Sequence, residues 1–327
     1  MGYNKSMRYV PAVLVLFLGA LRADAYPEQK TYQVVGKVLR SGGQPFAEGI
    51  PVMFLHGAVT PFVARALAAA DGQFKFKDIP AGTYMLIAAV PNIGETRKTV
   101  EVGPSFADSK GRVTVTFEID GTSMVRSRVV STVELSVPEN ARQEYSRAHD
   151  AVARQDINGA IAHLKKAVEI APQYAAAWNQ LGTIAYQTRQ YPQAEAYFRE
   201  ALKQDADAYS PLVNLGGALM AQNKVEESLT VNLEAVKAVP GDALAHSQLG
   251  SSYFFLGRLD EAEIQLKEAK AIDPGHFSYP QLVLVGIYTR RNQPEAAAAE
   301  IREFIKLHPD SEWTPKLRKA LETLTVP

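Results

Sequence analysis

Cysteine is absent from this 327-residue chain. Without it no disulfide framework, zinc–thiolate site or thiol nucleophile can be built. Excess charge is missing as well: 35 basic side chains stand against 35 acidic ones. A pI near 7 excludes a broadly basic nucleic-acid binder, so no nucleic-acid partner is expected. A hydrophobic content of 46% with no net charge excludes disorder over long stretches. Long apolar runs are also lacking. The best candidate, Val10 to Leu21, spans about a dozen residues and is too short to cross a hydrocarbon core of ~30 Å as a helix.

That apolar run has a second reading. Lys5 and Arg8 precede it with no acid between, and Ala23-Asp24-Ala25 follows as a small-x-small site. The order basic, apolar, small predicts an export signal over residues 1–25. The alternative is an uncleaved anchor, and Arg22 beside the cut weakens the cleavage reading. No cysteine follows the run, so a lipoprotein anchor is excluded. The expected location is bacterial, exported, and periplasmic or cell-surface associated, with no stable membrane insertion after cleavage. A chain without thiols suits an oxidising compartment.

Residues 26–135 read as strands. Thr31 to Leu39 is rich in β-branched and aromatic residues and ends at Ser41-Gly42-Gly43. Further short runs lie at 50–55, 62–69, 74–76, 83–90 and 96–102, and Val113 to Ile119 alternates with period two. Seven short strands separated by turns predict an antiparallel β-sandwich. One segment is more specific. Asp71-Gly72-Gln-Phe74-Lys-Phe76-Lys-Asp78-Ile79-Pro80-Ala81-Gly82-Thr-Tyr84 resembles the signature of carboxypeptidase regulatory-like domains, which are transthyretin-like (prealbumin-like) sandwiches. The resemblance covers roughly residues 31–120. It implies an accessory domain related in shape to carbohydrate-binding modules. The separate zinc domain of the carboxypeptidases is missing, so peptidase activity does not carry over. Phe46, Phe62 and Phe106 lie near expected loops and are the aromatics on which a glycan could stack; the competing reading places them in the core or an interface.

After a short linker at 136–140 the composition turns to alanine, leucine, glutamate, glutamine and lysine. A period of 34 emerges. Gly182, Gly216 and Gly250 keep it, each preceded by leucine, and so do Ala194, Ser228 and Ala262, then Ala201, Ala235 and Ala269. This pattern resembles the tetratricopeptide repeat, two antiparallel helices per unit. The small residues let the paired helices approach, while Trp178, Leu181 and Phe198 fill the space between units. One unit cannot bury its apolar face alone; stacking does. The resemblance implies an α-helical solenoid of five units, at 141–174, 175–208, 209–242, 243–276 and 278–311, closed by a capping helix over 312–327. Pro274 and Pro309 lie 35 apart, so the fifth interval carries one extra residue.

In that family, partners lie in the groove formed by the first helices of the units. Transferred position by position, the groove residues are Arg142, Tyr145, His149, Asn179, Thr183, Tyr186, Met220, Ser247, Phe254, Tyr279 and Arg290. Gln187, Val213, Gly217 and Ser251 fall at further groove positions. A known variant of the fold clamps a terminal carboxylate with cationic and polar groups. Tyr145, Val213 and Gly217 stand where that clamp needs them, so it is not expected here. An extended, partly apolar protein segment is the expected partner; the alternative is a glycan held by the sandwich.

No phosphate loop, dinucleotide fingerprint, serine elbow or zinc helix motif occurs. None of His56, His149, His163, His246, His276 and His308 lies three to five residues from another, so no helical metal pair is possible. No catalytic residue, cofactor or metal is expected.

Overall fold

The computed structural model describes residues 30–40, 51–58, 61–90, 94–119, 125–126 and 136–324. The expected export signal and Phe46 lie outside the described residues.

The N-terminal strands are β1 (Thr31–Arg40), β2 (Val52–Gly57), β3 (Val63–Leu67), β4 (Gln73–Pro80), β5 (Gly82–Val90), β6 (Gly94–Val102), β7 (Arg112–Ile119) and the short β8 (Val125–Arg126). They form two sheets, ordered β4-β1-β7 and β3-β2-β5-β6-β8. Alternate residues from both sheets, among them Val34, Val38, Met53, Leu55, Phe74, Phe76, Leu86 and Val113, meet in one core. The Asp71-Gly72 turn works as its residue types demand. Gly72 has φ +83°, and a Cβ there would lie 2.1 Å from the Val38 carbonyl oxygen. The Asp71 carboxylate accepts from the Gln73 amide at 3.0 Å. Tyr84 donates its hydroxyl to the Pro80 carbonyl at 2.8 Å, fixing the next corner.

One pair departs from the antiparallel expectation: β1 and β7 run parallel, from Gln33 against Arg112 to Arg40 against Ile119. The chain passes through the other sheet between them. A connection of that length permits parallel pairing, which a tight hairpin cannot.

The second sheet has two covered faces. Its inner face carries Met53, Leu55, Leu86, Ala88 and Val100. Strand register places Phe54, His56, Thr83, Met85, Ile87, Arg97, Thr99 and Glu101 on the other face. An outward strand residue is ordinarily wet. Thr99 nevertheless keeps only 9% of its surface.

The C-terminal region consists of α1 (Glu139–Ala153), α2 (Ile157–Ile170), α3 (Ala175–Gln187), α4 (Tyr191–Gln204), α5 (Tyr209–Ala221), α6 (Val225–Ala238), α7 (Ala243–Phe255), α8 (Leu259–Ile272), α9 (Pro280–Arg290), α10 (Pro294–Leu307) and α11 (Thr314–Leu324). The first helix of each pair ends on a left-handed residue: Gln155, Arg189, Asn223, Gly257 and Asn292. The following amide then reaches back five carbonyls, as in Asp156 to Ala151 and Gln190 to Ala185, at 2.9 and 2.8 Å. This is the helix-ending turn that satisfies otherwise orphaned carbonyls. Close approach inside a pair is set by the small residues. A Cβ on Gly182 would lie 2.5 Å from the ring of Phe198, itself 1% exposed.

The extra residue of the fifth interval sits in the turn before α9, where Tyr279 takes a left-handed φ of 52°. Among the described residues no helix is long and apolar enough to cross a membrane.

Candidate partner-binding groove

The first-helix face of the array carries the expected groove residues, but they divide into three groups. Some are spent on the array itself. Ser247 and Phe254 are buried, at 2% and 3% exposure, so the expectation that a partner would touch them is not met. Arg290 is exposed, yet its guanidinium lies 4.0 Å over the Phe254 ring and donates to the Phe254 carbonyl at 3.2 Å. The Thr183 hydroxyl donates within its own helix to Asn179. Arg142 pairs with Glu139 at 3.0 Å and donates to the Val137 carbonyl, tying down the start of α1.

A second group offers surface. Tyr186 is 38% exposed and packs edge-on against Tyr191. Met220 and Asn179 are half-buried. Asn179 accepts from Asn214 of the next repeat at 3.1 Å, which lines up two side-chain amides along the groove. Gly217 sits beside them, with the Gln248 amide and the Tyr186 hydroxyl on either side of the space its missing side chain leaves.

The third group faces the β domain. Tyr145 packs edge-on against His149 and tilted against Tyr174, at 4.6 and 5.0 Å. Val63 of β3 packs into the same apolar cluster as Tyr145. Gln187, at the end of α3, donates to the Gly57 carbonyl at 3.1 Å. Tyr279 rests on Phe304 and His308, at 5.2 and 4.8 Å. Burial and the neighbouring Glu101 carboxylate push its phenol up to about 12.

On the far side of the groove, β6 meets the turns that lead from one repeat to the next. The Arg97 guanidinium lies 3.7 Å from Asp242. The Thr99 amide donates to Asp273 at 3.0 Å. Glu101 and His308 Nδ1 are 3.0 Å apart. The Ser105 amide and hydroxyl both donate to Asp310, at 3.0 and 2.5 Å. This explains the buried outer face of the sheet: the repeat array covers it.

His56 also lies in this contact. Burial first, then His149 and Arg97 beside it, hold its imidazole down at about 4. The sequence reading missed Asp242, Asp273, His308 and Asp310. An aspartate in a turn before a helix reads as a cap, and Asp242 is also that, accepting from the Ala245 amide at 3.0 Å.

His163 bonds through Nδ1 to Glu144 at 2.7 Å. Phe62 and Phe106 pack against the sandwich core, Phe62 edge-on to Tyr84 at 5.3 Å. Both are only half-buried.

Family models of the tetratricopeptide repeat match residues 151–209, 185–247 and 243–276. Residues 151–276 of the helical array are thus tetratricopeptide repeats. Among solved structures, PilW, described as a widely conserved type IV pilus biogenesis factor, is 21% identical with a TM-score of 0.50, over 57% of this chain and 87% of that one. MamA from Desulfovibrio magneticus RS-1, residues 41 to the end, is 19% identical with a TM-score of 0.49, over 54% of this chain and 99% of that one. YrrB, described as a tetratricopeptide-repeat protein with an unusual peptide-binding site, is 23% identical with a TM-score of 0.46, over 59% and 98%. At 21% identity the likeness to PilW is one of fold. Comparison with curated protein sequences finds no match.

Proposed function

We propose that this protein is a non-catalytic interaction adaptor whose repeat array holds an extended, partly apolar segment of another protein outside the cytoplasm. One observation carries the reading: array side chains already grip main chain. Asp273 takes the Thr99 amide, Asp310 takes the Ser105 amide, and Gln187 reaches the Gly57 carbonyl. Bonds to main chain supply affinity for any extended segment, and alternate side chains add selectivity. Stacked repeats characteristically build the long concave surface such a segment needs. Tyr186 and Met220 supply the apolar contact. The basic, apolar and small-residue order of the first 25 residues supports export. The Asp71 to Tyr84 signature supports reading the β domain as a carboxypeptidase regulatory-like accessory domain.

The test is in-cell photocrosslinking. A photoreactive residue at position 220 of the full chain should capture a defined protein partner, and Tyr186→Ala in the same chain should cut the yield severalfold. Equal capture with and without Tyr186→Ala removes the groove from the reading.

A further inference from the structure

The outer face of the second sheet bridges the groove. Its β2–β3 end contacts the first two repeats through Val63 and Gly57. Its β6 edge contacts the turns before α7, α9 and α11 through Arg97, Thr99, Glu101 and Ser105. Asn179, Tyr186, Asn214 and Met220 belong to α3 and α5, in the repeats that separate α1 from the turns before α7, α9 and α11.

The chemistry at the β6 line is that of a bound peptide. Arg97, Thr99 and Glu101 alternate along the strand, so all three point the same way. Each meets a successive turn of the array: a cation against Asp242, an amide donor against Asp273, a carboxylate against His308. Residues two apart on a strand are ~6.6 Å apart, and packed helices are ~8–10 Å apart. A strand lying along the stacking direction can therefore match successive turns with alternate residues, Arg97 and Glu101 by side chain and Thr99 by its main-chain amide. These contacts are polar: Arg97, Glu101 and the Ser105 hydroxyl meet side chains, while the Thr99 and Ser105 amides donate to carboxylates. Ser105 and Asp310 are both at an exposed contact, and Arg97 keeps 22% of its side-chain surface. Such a contact is exchangeable, unlike the apolar cores on either side of it.

We infer that the β domain is the resident occupant of the groove and gates it: segment 94–106 holds the array's turn sites, and an incoming extended segment binds only once that contact opens. The inference rests on the adaptor reading and names its regulation. It also states what a competing segment should resemble, an extended stretch with a cation, a small polar residue and an acid at alternate positions.

The lack of cysteine makes the test clean, since introduced thiols have no native competitor. A Cβ built on Gly103 lies 3.7 Å from the Asp310 Cβ, within the range a disulfide spans. Gly103→Cys with Asp310→Cys should therefore lock the full chain shut on oxidation. Arg97→Asp with Glu101→Lys should open it, by setting a carboxylate against Asp242 and removing the carboxylate that faces His308, while leaving the array unaltered. Opening is read from the distance between spin labels at Lys75→Cys and Glu234→Cys, both exposed positions. Binding is read by fluorescence polarisation with a labelled synthetic peptide of residues 94–106.

The expected result is a narrow distance distribution in the parent chain, a longer and broader one in the opened variant, and peptide binding at least about tenfold tighter in the opened variant than in the oxidised lock. Because Asp310→Cys also removes the acceptor of Ser105, the reduced lock is the reference for the oxidised one, and reduction should raise peptide binding severalfold. Three results would overturn the inference. Failure of the lock to form means the β domain does not sit there. Equal peptide binding by locked and opened chains means the groove is not gated, and leaves the adaptor reading standing. An opened chain, proven by its distances, that binds no peptide removes the groove reading itself.

Discussion

His56 shows how one side chain reports on the contact between the domains. It lies on the outer face of β2, opposite Met85 of β5 and Val63 of β3. Its imidazole is held down at about 4 by burial, by His149 of α1 and by Arg97 of β6. His149 is itself lowered by burial, although Asp150 pulls it the other way. The sign follows from linkage. The unfolded imidazole takes its proton near 6.5 and the folded one near 4, so the unfolded state binds more protons in between, and stability falls as pH drops through that window. The loss amounts to at most about 3 kcal/mol by the bottom of it. Chemical denaturation between pH 7 and 4 should show this decline, and His56→Gln should flatten it. An unchanged slope in the variant would assign the acid sensitivity elsewhere. Glu144 works at lower pH. Bonds from His163 and then Lys166 hold its carboxyl at about 2, so its contribution declines from about pH 4.5, where the unfolded carboxyl takes its proton, and is gone by about pH 2.

At the scale of the element, the array repeats its packing with one exception. Leu164, Phe198 and Leu266 stand at the same position of successive units, each fully buried, and Asn232 stands there in the third. Its Nδ2 donates to the Ser228 and Ser252 hydroxyls at 3.0 and 3.1 Å. Its Oδ1 is buried with no hydrogen-bond partner among the described residues. An unmet buried acceptor costs about 1–3 kcal/mol. Ser228 and Ser252 keep other acceptors, the Gly216 and Gln248 carbonyls. Leucine already faces glycine in this geometry, at Leu266 over Gly250. Asn232→Leu should therefore stabilise the array by about 1–2 kcal/mol. Thermal melting should show a rise of several degrees, at roughly 2–4 °C per kcal/mol; a fall would show that the polar cluster is a net gain. The 34-residue phase made the position readable in the sequence. The unmet oxygen was not, because it depends on where neighbouring helices put their donors.

At the scale of the molecule, the helical core is discontinuous. One apolar cluster runs from Val137 to Ile184 and another from Leu249 to Leu317. Between them lie two small clusters around Phe198 and Leu219 and around Val213 and Ala235. Solenoid stability is a sum of units and nearest-neighbour interfaces. A polar pair in the middle, Ser228 and Asn232, leaves the third unit with little apolar packing of its own, so that unit can open without the rest. Native-state hydrogen exchange should show α5 and α6 exchanging about tenfold or more faster than α3 and α8, and Asn232→Leu should narrow the gap. Uniform protection along the array would contradict a soft centre. A compliant centre between firm ends also suits a groove whose two sides hold one bridging sheet.

The sequence by itself determined the two architectures. Strand alternation from Thr31 to Ile119 and the phase of Gly182, Gly216 and Gly250 each encode contacts between near neighbours, and such contacts repeat with the local period. The groove was legible as a set of positions, yet which of them stay free was not: Phe254 is buried under Arg290, while Tyr186 is open. Only the tertiary structure decided that the two domains meet, and where. The Thr99 and Ser105 contacts join residues 174 and 205 apart in the chain. No periodicity links a strand's outer face to the turns of a distant solenoid. That match arises only when both folds exist and an otherwise wet sheet face finds a surface with complementary charge.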